Sequence, residues 1–444
     1  MAQHFQDTLI AVVSVTVVLG IMIFVHEWGH FIAAKLSGVR VEVFSLGFGP
    51  RLAGFKRGDT DYRLSALPFG GYVRMAGDNP IEERTGAPYE FLSKPRWVRV
   101  LIAIAGPTMN IILAFAIFWG IFWLVGIPTP TYLRQVPNVV AVPKTAAGVS
   151  DIQPNDRIIQ VNSVKTPTWD KVFTESGKAK PGDSLSITVL RDGAEKTFTV
   201  KIPEKLDASD IVGYPAMPPV ADEIAIGFPA EKAGMKSGDT ILAMNGKPVI
   251  TWEQLVEGVH QSDGQPIQFL IRRGGEEFPL TITPTHGMDQ EGGSVWQIGV
   301  APRTDNDYLR QGFVPAIKDA GFATLAVMRQ IEGVLGGLLT GKVSIRELQG
   351  VVGIARESGR AAKGGPMRLL ELMAIISLNL GLLNLLPIPI LDGGHVLLLS
   401  IEGALRRDLS IAVKERFVQV GLVFLLGIIA FVMYSDILRL IQSH

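Results

Sequence analysis

The chain has 444 residues, 47% hydrophobic and only 19% charged, with 42 basic against 42 acidic side chains and a mean hydropathy of +0.29. Zero net charge removes the bulk attraction that nucleic acid needs, so no nucleic-acid partner is expected. The absence of cysteine excludes disulfides, thiolate zinc sites and a cysteine nucleophile, and the low charge points to membrane spans rather than to an enlarged soluble core.

Residues 8 to 25, TLIAVVSVTVVLGIMIFV, carry no charge and are about long enough to cross a hydrocarbon core as a helix. The leader MAQHFQDT holds no Lys or Arg, and no small-x-small pattern closes the run. A retained first span over about 8–31 is therefore expected rather than a cleaved signal peptide. That span ends in FVHEWGH, with three ionisable groups. Each costs roughly 2.5–3.5 kcal/mol in such a place, which by default marks function. On a helix His26 and His30 share a face, where two imidazoles can converge on one zinc. Glu27, one residue after the first ligand, is placed to take a proton from water activated by that metal. A solvated polar face is the bland alternative in a soluble helix, and it fails where there is no water. Snorkelling at the membrane boundary near Lys35 is the bland reading that is left.

The following loop contains SLGFGP (45–50), similar to a PDZ carboxylate loop but with no PDZ core around it, and YRLSALPFGGYVRM, read as a short membrane-associated hairpin over 60–75 ending in a Gly70-Gly71 turn. A second span is expected over about 100–126. Its GPTMN stretch places Asn110 inside the membrane, where an amide most simply satisfies a neighbouring helix. A third span covers about 369–390 and is broken near its end by Pro387 and Pro389. Asp392 follows in LLPIPILDGGH, and a carboxylate beside an uncharged run is again costly unless paired or metal-bound. Because the residues after His30 offer no third ligand, Asp392 is the candidate. His395 reads as a surface residue or as an outer partner of the site. The fourth span runs over about 417–435.

Eleven Lys or Arg lie between Lys35 and Arg99, and Arg406, Arg407, Lys414 and Arg416 between the last two spans. By the positive-inside rule, loops 32–99 and 405–416 face the cytoplasm, and the long middle segment and both termini lie on the other side. That segment carries a repeat: PNDRIIQVNSVKTPTW (154–169) aligns without gaps to SGDTILAMNGKPVITW (237–252). Each copy follows an Ala-Gly pair, at Ala147-Gly148 and Ala233-Gly234, and precedes a helix-like stretch and two strands with tight turns at Asp192-Gly193 and Gly274-Gly275. The second copy resembles the core of a PDZ domain of bacterial membrane and secreted proteases, which implies capture of extended or C-terminal peptides by strand addition. The alternative is a pair of spacers that exclude bulky substrates. The expected boundaries are 1–127 for the first part of the membrane domain, 128–213 and 214–304 for two PDZ domains, 305–368 for a linker with an amphipathic segment, and 369–444 for the second part of the membrane domain.

HEWGH, PFGGYVRM, GPTMN, both repeats and SLNLGLLNLLPIPILDGG together resemble the site-2 protease family of intramembrane zinc proteases, and within it the Gram-negative, sigma-E-regulating branch with tandem PDZ domains. The fold class expected is thus a polytopic α-helical membrane protein with four transmembrane helices and two inserted β-rich PDZ domains. The resemblance implies an enzyme of a bacterial inner membrane that cuts the span of a single-span protein, such as an anti-sigma factor already trimmed once, with the PDZ tandem as a filter. By the same resemblance His26, His30 and Asp392 are zinc ligands, Glu27 the general base, and Asn379 and Asn384 line the substrate path. Their amides could equally bond neighbouring helices. LQGVVGIA (348–355) is the best match to the glycine-rich loop of that branch. The rival class is a non-catalytic PDZ scaffold with a structural zinc, which would fill all four metal positions with protein ligands. A metal transporter would want several acidic or histidine sites along a path.

Overall fold

Among the described residues of the structure, a computed structural model, four helices are long and apolar enough to cross a membrane: Thr8–Leu36, Arg96–Leu124, Pro366–Leu385 and Ile411–Tyr434. The structure describes residues 2–79, 85–142, 151–204, 211–225, 227–288, 294–303, 306–340 and 350–442. They fall into two units, one of residues up to 126 and from 310 to 438, the other of residues 127 to 309 and from 439 on.

In the first unit, α1 (Ala2–Leu36) continues for six residues beyond His30, so HEWGH lies within a helix and not at its frayed end. After it, β1 (Val41–Arg57) and β2 (Thr60–Met75) form an antiparallel pair. The hairpin turn lies at Gly58 and Asp59 between these strands, where Gly58 has a φ of 61°. This corrects the expectation of a turn at Gly70-Gly71, which instead sit inside β2. SLGFGP likewise belongs to β1. Both strands bend at glycines, Gly47 and Gly49 in one and Gly70 in the other, all at positive φ. The bend folds the hairpin over itself. Arg57 to Arg51 pair with Thr60 to Ser65, Val43 to Leu46 lie opposite Asp61 to Leu64 with both numbers rising, and Val41 to Leu46 pair with Met75 to Gly71. The sheet thus runs 51–57, 60–65, 43–46, 71–75, with 71–75 at one edge.

The second span, α2 (Arg96–Leu124), buries Ile102, Gly106, Asn110, Ala114 and Phe118 at four-residue spacing, the mark of one face packed against neighbours. Small residues bring α1 close: a Cβ on Gly29 would lie 2.4 Å from the Ala105 carbonyl oxygen.

The middle unit contains the repeat. After β3 (Ile127–Pro130), the first copy supplies β4 (Arg157–Val161), β5 (Val164–Lys165), α3 (Trp169–Ser176), β6 (Ser184–Arg191) and β7 (Ala194–Lys201), in the sheet order β5-β4-β6-β7. The second copy begins with β8 (Ala221–Ile224) and a short α4 (Pro229–Lys232). It repeats the sheet as β9 (Thr240–Met244), β10 (Lys247–Pro248), α5 (Trp252–His260), β11 (Ile267–Arg273) and β12 (Glu276–Ile282), in the order β10-β9-β11-β12. Then come β13 (Thr285–Met288), β14 (Ser294–Gln297), β15 (Val300–Pro302), which pairs with β8, and β16 (Asn306–Leu309), which pairs with β3. The Ala147-Gly148 pair lies outside the described residues.

Three of the residue types shared by the copies have clear structural tasks. Trp169 and Trp252 open α3 and α5 and are buried in separate cores. Asn162 and Asn245 turn the chain at positive φ while their side-chain oxygens accept from Ser186 and Gln268 amides. Asp156 and Asp239 each take a two-pronged hydrogen bond from an arginine, Arg191 or Arg273, at 2.6 and 2.7 Å. Where the copies differ, Asn155 and Ser163 hold the same left-handed backbone as Gly238 and Gly246, so the substitutions leave the turns unchanged.

The chain returns to the first unit in α6 (Phe313–Leu339), which packs on α2 with Phe313 edge-on to Trp119 and Trp123 at centroid distances of 5.1 and 5.2 Å. Of LQGVVGIA, residues 348 and 349 lie outside the described residues and the rest leads into α7 (Val351–Lys363). This helix rests on α1, Gly359 against Ala11. Then follow α8 (Pro366–Leu385), α9 (Asp392–Leu405) and α10 (Ile411–Gln442). The chain is a polytopic helical membrane protein with two inserted β-rich repeats.

Candidate active site

The third span ends where prolines stop it. Pro387 and Pro389 carry no N–H to continue the helical ladder, Leu386 is extended, and Ile390 takes a φ of 83°. A new helix, α9, then starts on Asp392. The break carries the Asp392 carboxylate to α1. Its Oδ2 lies 3.1 Å from His26 Nε2 and its Oδ1 3.5 Å from His30 Nε2, and the two Nε2 atoms are 3.2 Å apart. The three side chains are 10%, 11% and 20% exposed, so the centre is shielded but reachable.

These separations fit a metal. Ligands at about 2.0–2.1 Å around a tetrahedral zinc stand about 3.3 Å from one another, and the three distances bracket that value. The other face of His30 agrees: its Nδ1 lies 2.7 Å from the Ile102 carbonyl oxygen. A carbonyl can only accept, so the ring carries its proton on Nδ1 and keeps the Nε2 lone pair for a metal. Among the described residues His26, His30 and Asp392 are the metal-competent group of three or more such side chains.

Two glycines shape the space around the group. A Cβ on Gly106 would lie 2.3 Å from His30 Nε2 and 2.9 Å from His26 Nε2, among the converging nitrogens. A Cβ on Gly71, at the edge of the folded sheet, would lie 2.9 Å from Glu27 Cγ. The edge strand 71–75 therefore passes directly beside Glu27. Asn379 and Asn384 sit half-buried on α8. The Asn379 amide donates to its own helix at Ile375 O, 3.2 Å away, and neither asparagine hydrogen-bonds to the three converging side chains. His395 is exposed on α9.

The model of peptidase family M50 matches residues 14–428. The chain belongs to that family. It is a metalloprotease of the site-2 type. Similar relatives include the regulator of sigma-E protease RseP of Escherichia coli, 32% identical over 96% of this chain and 98% of its own. The regulator of sigma E protease of Haemophilus influenzae is 31% identical over the same shares. A Vibrio cholerae relative with zinc metalloprotease in its name is 31% identical over 98% of this chain and 100% of its own. A solved PDZ domain of an SdrC-like protein from Listeria monocytogenes covers 20% of this chain at 18% identity and a TM-score of 0.17, too slight an overlap to argue from.

Sequence reasoning did not assign Gly106 or Gly71 to the site, and it read Asn110 only as a partner for another helix. That partner proves to be a ring of the site, since Asn110 Nδ2 lies 3.2 Å from His26 Nδ1. The available signal was GPTMN itself, a glycine and an amide four residues apart on the face of α2 that meets α1. Also unforeseen is a groove of about 310 Å³ in the second repeat, between Trp252, Leu255 and Val259 of α5 and Trp296 to Val300.

Proposed function

We propose that this M50 peptidase hydrolyses a peptide bond within or beside the membrane span of a single-span membrane protein, with zinc held by His26, His30 and Asp392 and Glu27 as general base. The observation that carries the reading is the meeting of two histidines from one span and an aspartate from the break after another, at ligand spacing. Bound there, zinc supplies a Lewis acid that makes water nucleophilic near neutral pH. Glu27 takes the proton from the attacking water and delivers it to the leaving amine. Three protein ligands leave one position open, which favours catalysis over a scaffold whose structural zinc would fill all four. Asn379 and Asn384, on the turns of α8 that lead to Asp392, steady the extended substrate through their amides.

The relatives named as regulators of sigma E support a role in sigma-factor regulation, and in this reading the substrate is an anti-sigma factor trimmed by an earlier cleavage and the enzyme sits in a bacterial inner membrane. In this reading residues 128–213 and 214–304 form the two PDZ domains, on the periplasmic side with both termini, and 32–99 and 405–416 face the cytoplasm. The domains admit trimmed substrate and exclude bulky ectodomains, and the groove beside α5 has an apolar lining for a peptide or a C-terminal segment.

A helical substrate hides its carbonyls, so it must be held extended. The edge at 71–75 offers unpaired backbone groups beside Glu27, and strand addition there would present the scissile bond. Proline substituted in turn at Tyr72, Val73 and Arg74 should lower cleavage about tenfold at the position whose N–H points outward, with zinc content unchanged. Uniformly normal cleavage would sink the strand-addition step. The reading as a whole is tested with Glu27→Gln, purified in detergent beside the wild type. Zinc should be retained while cleavage of a single-span reporter falls by about 10²–10⁴-fold, the range supplied by general acid–base catalysis. Equal cleavage by both proteins, or none by zinc-loaded wild type, would return the scaffold reading.

A further inference from the structure

Asn110 is wholly buried in the middle of α2. Its backbone carbonyl accepts from Ser377 Oγ at 2.8 Å, and its Nδ2 faces His26 Nδ1 at 3.2 Å. Its Oδ1 is buried with no hydrogen-bond partner, an expensive arrangement for an amide oxygen. We infer that Asn110 is a positioning residue: it accepts the Nδ1 proton of His26 and so commits the Nε2 lone pair of that ring to the metal. The inference rests on His26 being a ligand, as proposed above.

A neutral imidazole has one proton for two nitrogens, and the partner at Nδ1 decides where it sits. For His30 that partner is the Ile102 carbonyl, which admits one answer. For His26 the partner is a carboxamide, which can either donate or accept. If Nδ2 faces the ring, Nδ1 must accept, and the proton goes to Nε2, where it occupies the lone pair a metal needs. If Oδ1 faces the ring, Nδ1–H donates to it and Nε2 is free to ligate. The two arrangements differ by a half-turn of the amide, which is a matter of assigning O and N. The second gives Oδ1 the donor it lacks and moves Nδ2 to the place that Oδ1 held.

The residue has little room to do anything else. A Cβ on Gly381 of α8 would lie 3.4 Å from Asn110 Cβ and 2.9 Å from Pro107 O, so α8 closes on this turn of α2. The same face of α2 thus supplies the acceptors for both rings: Ile102 through its backbone and Asn110 through its side chain. Outer partners of this kind set the ring orientation and the basicity of a metal-bound histidine, and their loss typically weakens metal affinity 10–100-fold.

The test uses the full chain in detergent and reads zinc affinity by competition with a chelator, alongside helical content and reporter cleavage. Asn110→Leu keeps the volume and removes the acceptor, and its zinc affinity should fall about 10–100-fold. Asn110→Asp puts an acceptor in the same place and should hold zinc as tightly as the wild type or more so. Cleavage by the Leu variant should recover when zinc is raised, with KM for the reporter unchanged. Should the Leu variant fail to fold, Asn110→Ser, too short to reach Nδ1, takes its place in the comparison with Asp. Wild-type affinity in the Leu or Ser variant would overturn the inference, as would an Asp variant as weak as Leu or Ser, because packing alone would then explain the residue. His26→Ala is the separate control. If it holds zinc unchanged, or if the wild type holds none, the reading of His26 as a ligand fails instead.

Discussion

Gly106→Ala should remove both metal binding and proteolysis while leaving the helices in place. A Cβ at this position enters the space between the two converging nitrogens, 2.3 Å from His30 Nε2 and 2.9 Å from His26 Nε2, far inside any van der Waals contact. Parting the helices would break the close contact in which Gly29 lets α1 approach the Ala105 carbonyl. The imidazoles must therefore swing out of line. Displacing catalytic groups by about 1 Å costs about 100-fold in rate, and zinc affinity should fall at least as far. The control is on the same helix: a Cβ on Gly120 meets nothing within 4 Å, so Gly120→Ala should match the wild type in zinc content and cleavage. Normal zinc binding in Gly106→Ala would mean that the metal lies elsewhere.

That glycine shows where a sequence stops being readable. His26, Glu27, His30 and Asp392 stood out because ionisable groups in or beside an uncharged run are costly, so their presence asks for a reason. Gly106 gives no such sign. Its meaning appears only once α2 is known to cross α1 at the histidines. Asn110 was ambiguous for the same reason: a mid-span amide needs a partner, but the chain does not say which helix brings it. The folded-over sheet depended on backbone angles at Gly47, Gly49 and Gly70, and a Gly-Gly pair in isolation suggested a turn where the strand in fact continues. Asp392 was legible for a different reason. Pro387 and Pro389 must end α8, and a carboxylate just past a forced break has few uses but ligation.

The repeats were legible through their Asp, Asn and Trp skeleton, and the structure explains the aspartates through stability rather than function. Asp239 is fully buried and holds Arg273 at 2.6 and 2.7 Å, the Lys236 amide at 2.8 Å, and through Arg273 the Gly234 carbonyl at 2.8 Å. Burial alone would raise its pKa, but the hydrogen bonds from Arg273 and the Lys236 amide outweigh it and hold the carboxyl below the usual carboxylate range. Asp239→Ala strands the arginine and the Lys236 amide. Breaking a buried pair this way costs about 3 kcal/mol, the low end of the usual range because Arg273 is one-third exposed and partly screened by water. In the intact chain, amides of β9 and β11 should then exchange about 100-fold faster, while β4 and β6, tied by Asp156 and Arg191, stay as they were. The pH dependence has a definite sign. A carboxyl whose folded pKa is depressed stabilises fully above its unfolded value near 3.9 and loses that contribution as pH falls toward the folded value. Wild-type protection of β9 and β11 should therefore decline below about pH 4, and the Asp239→Ala variant, already without the interaction, should show no such decline from this group. Equal protection in variant and wild type at neutral pH would assign the shared aspartate a role other than holding the repeat together.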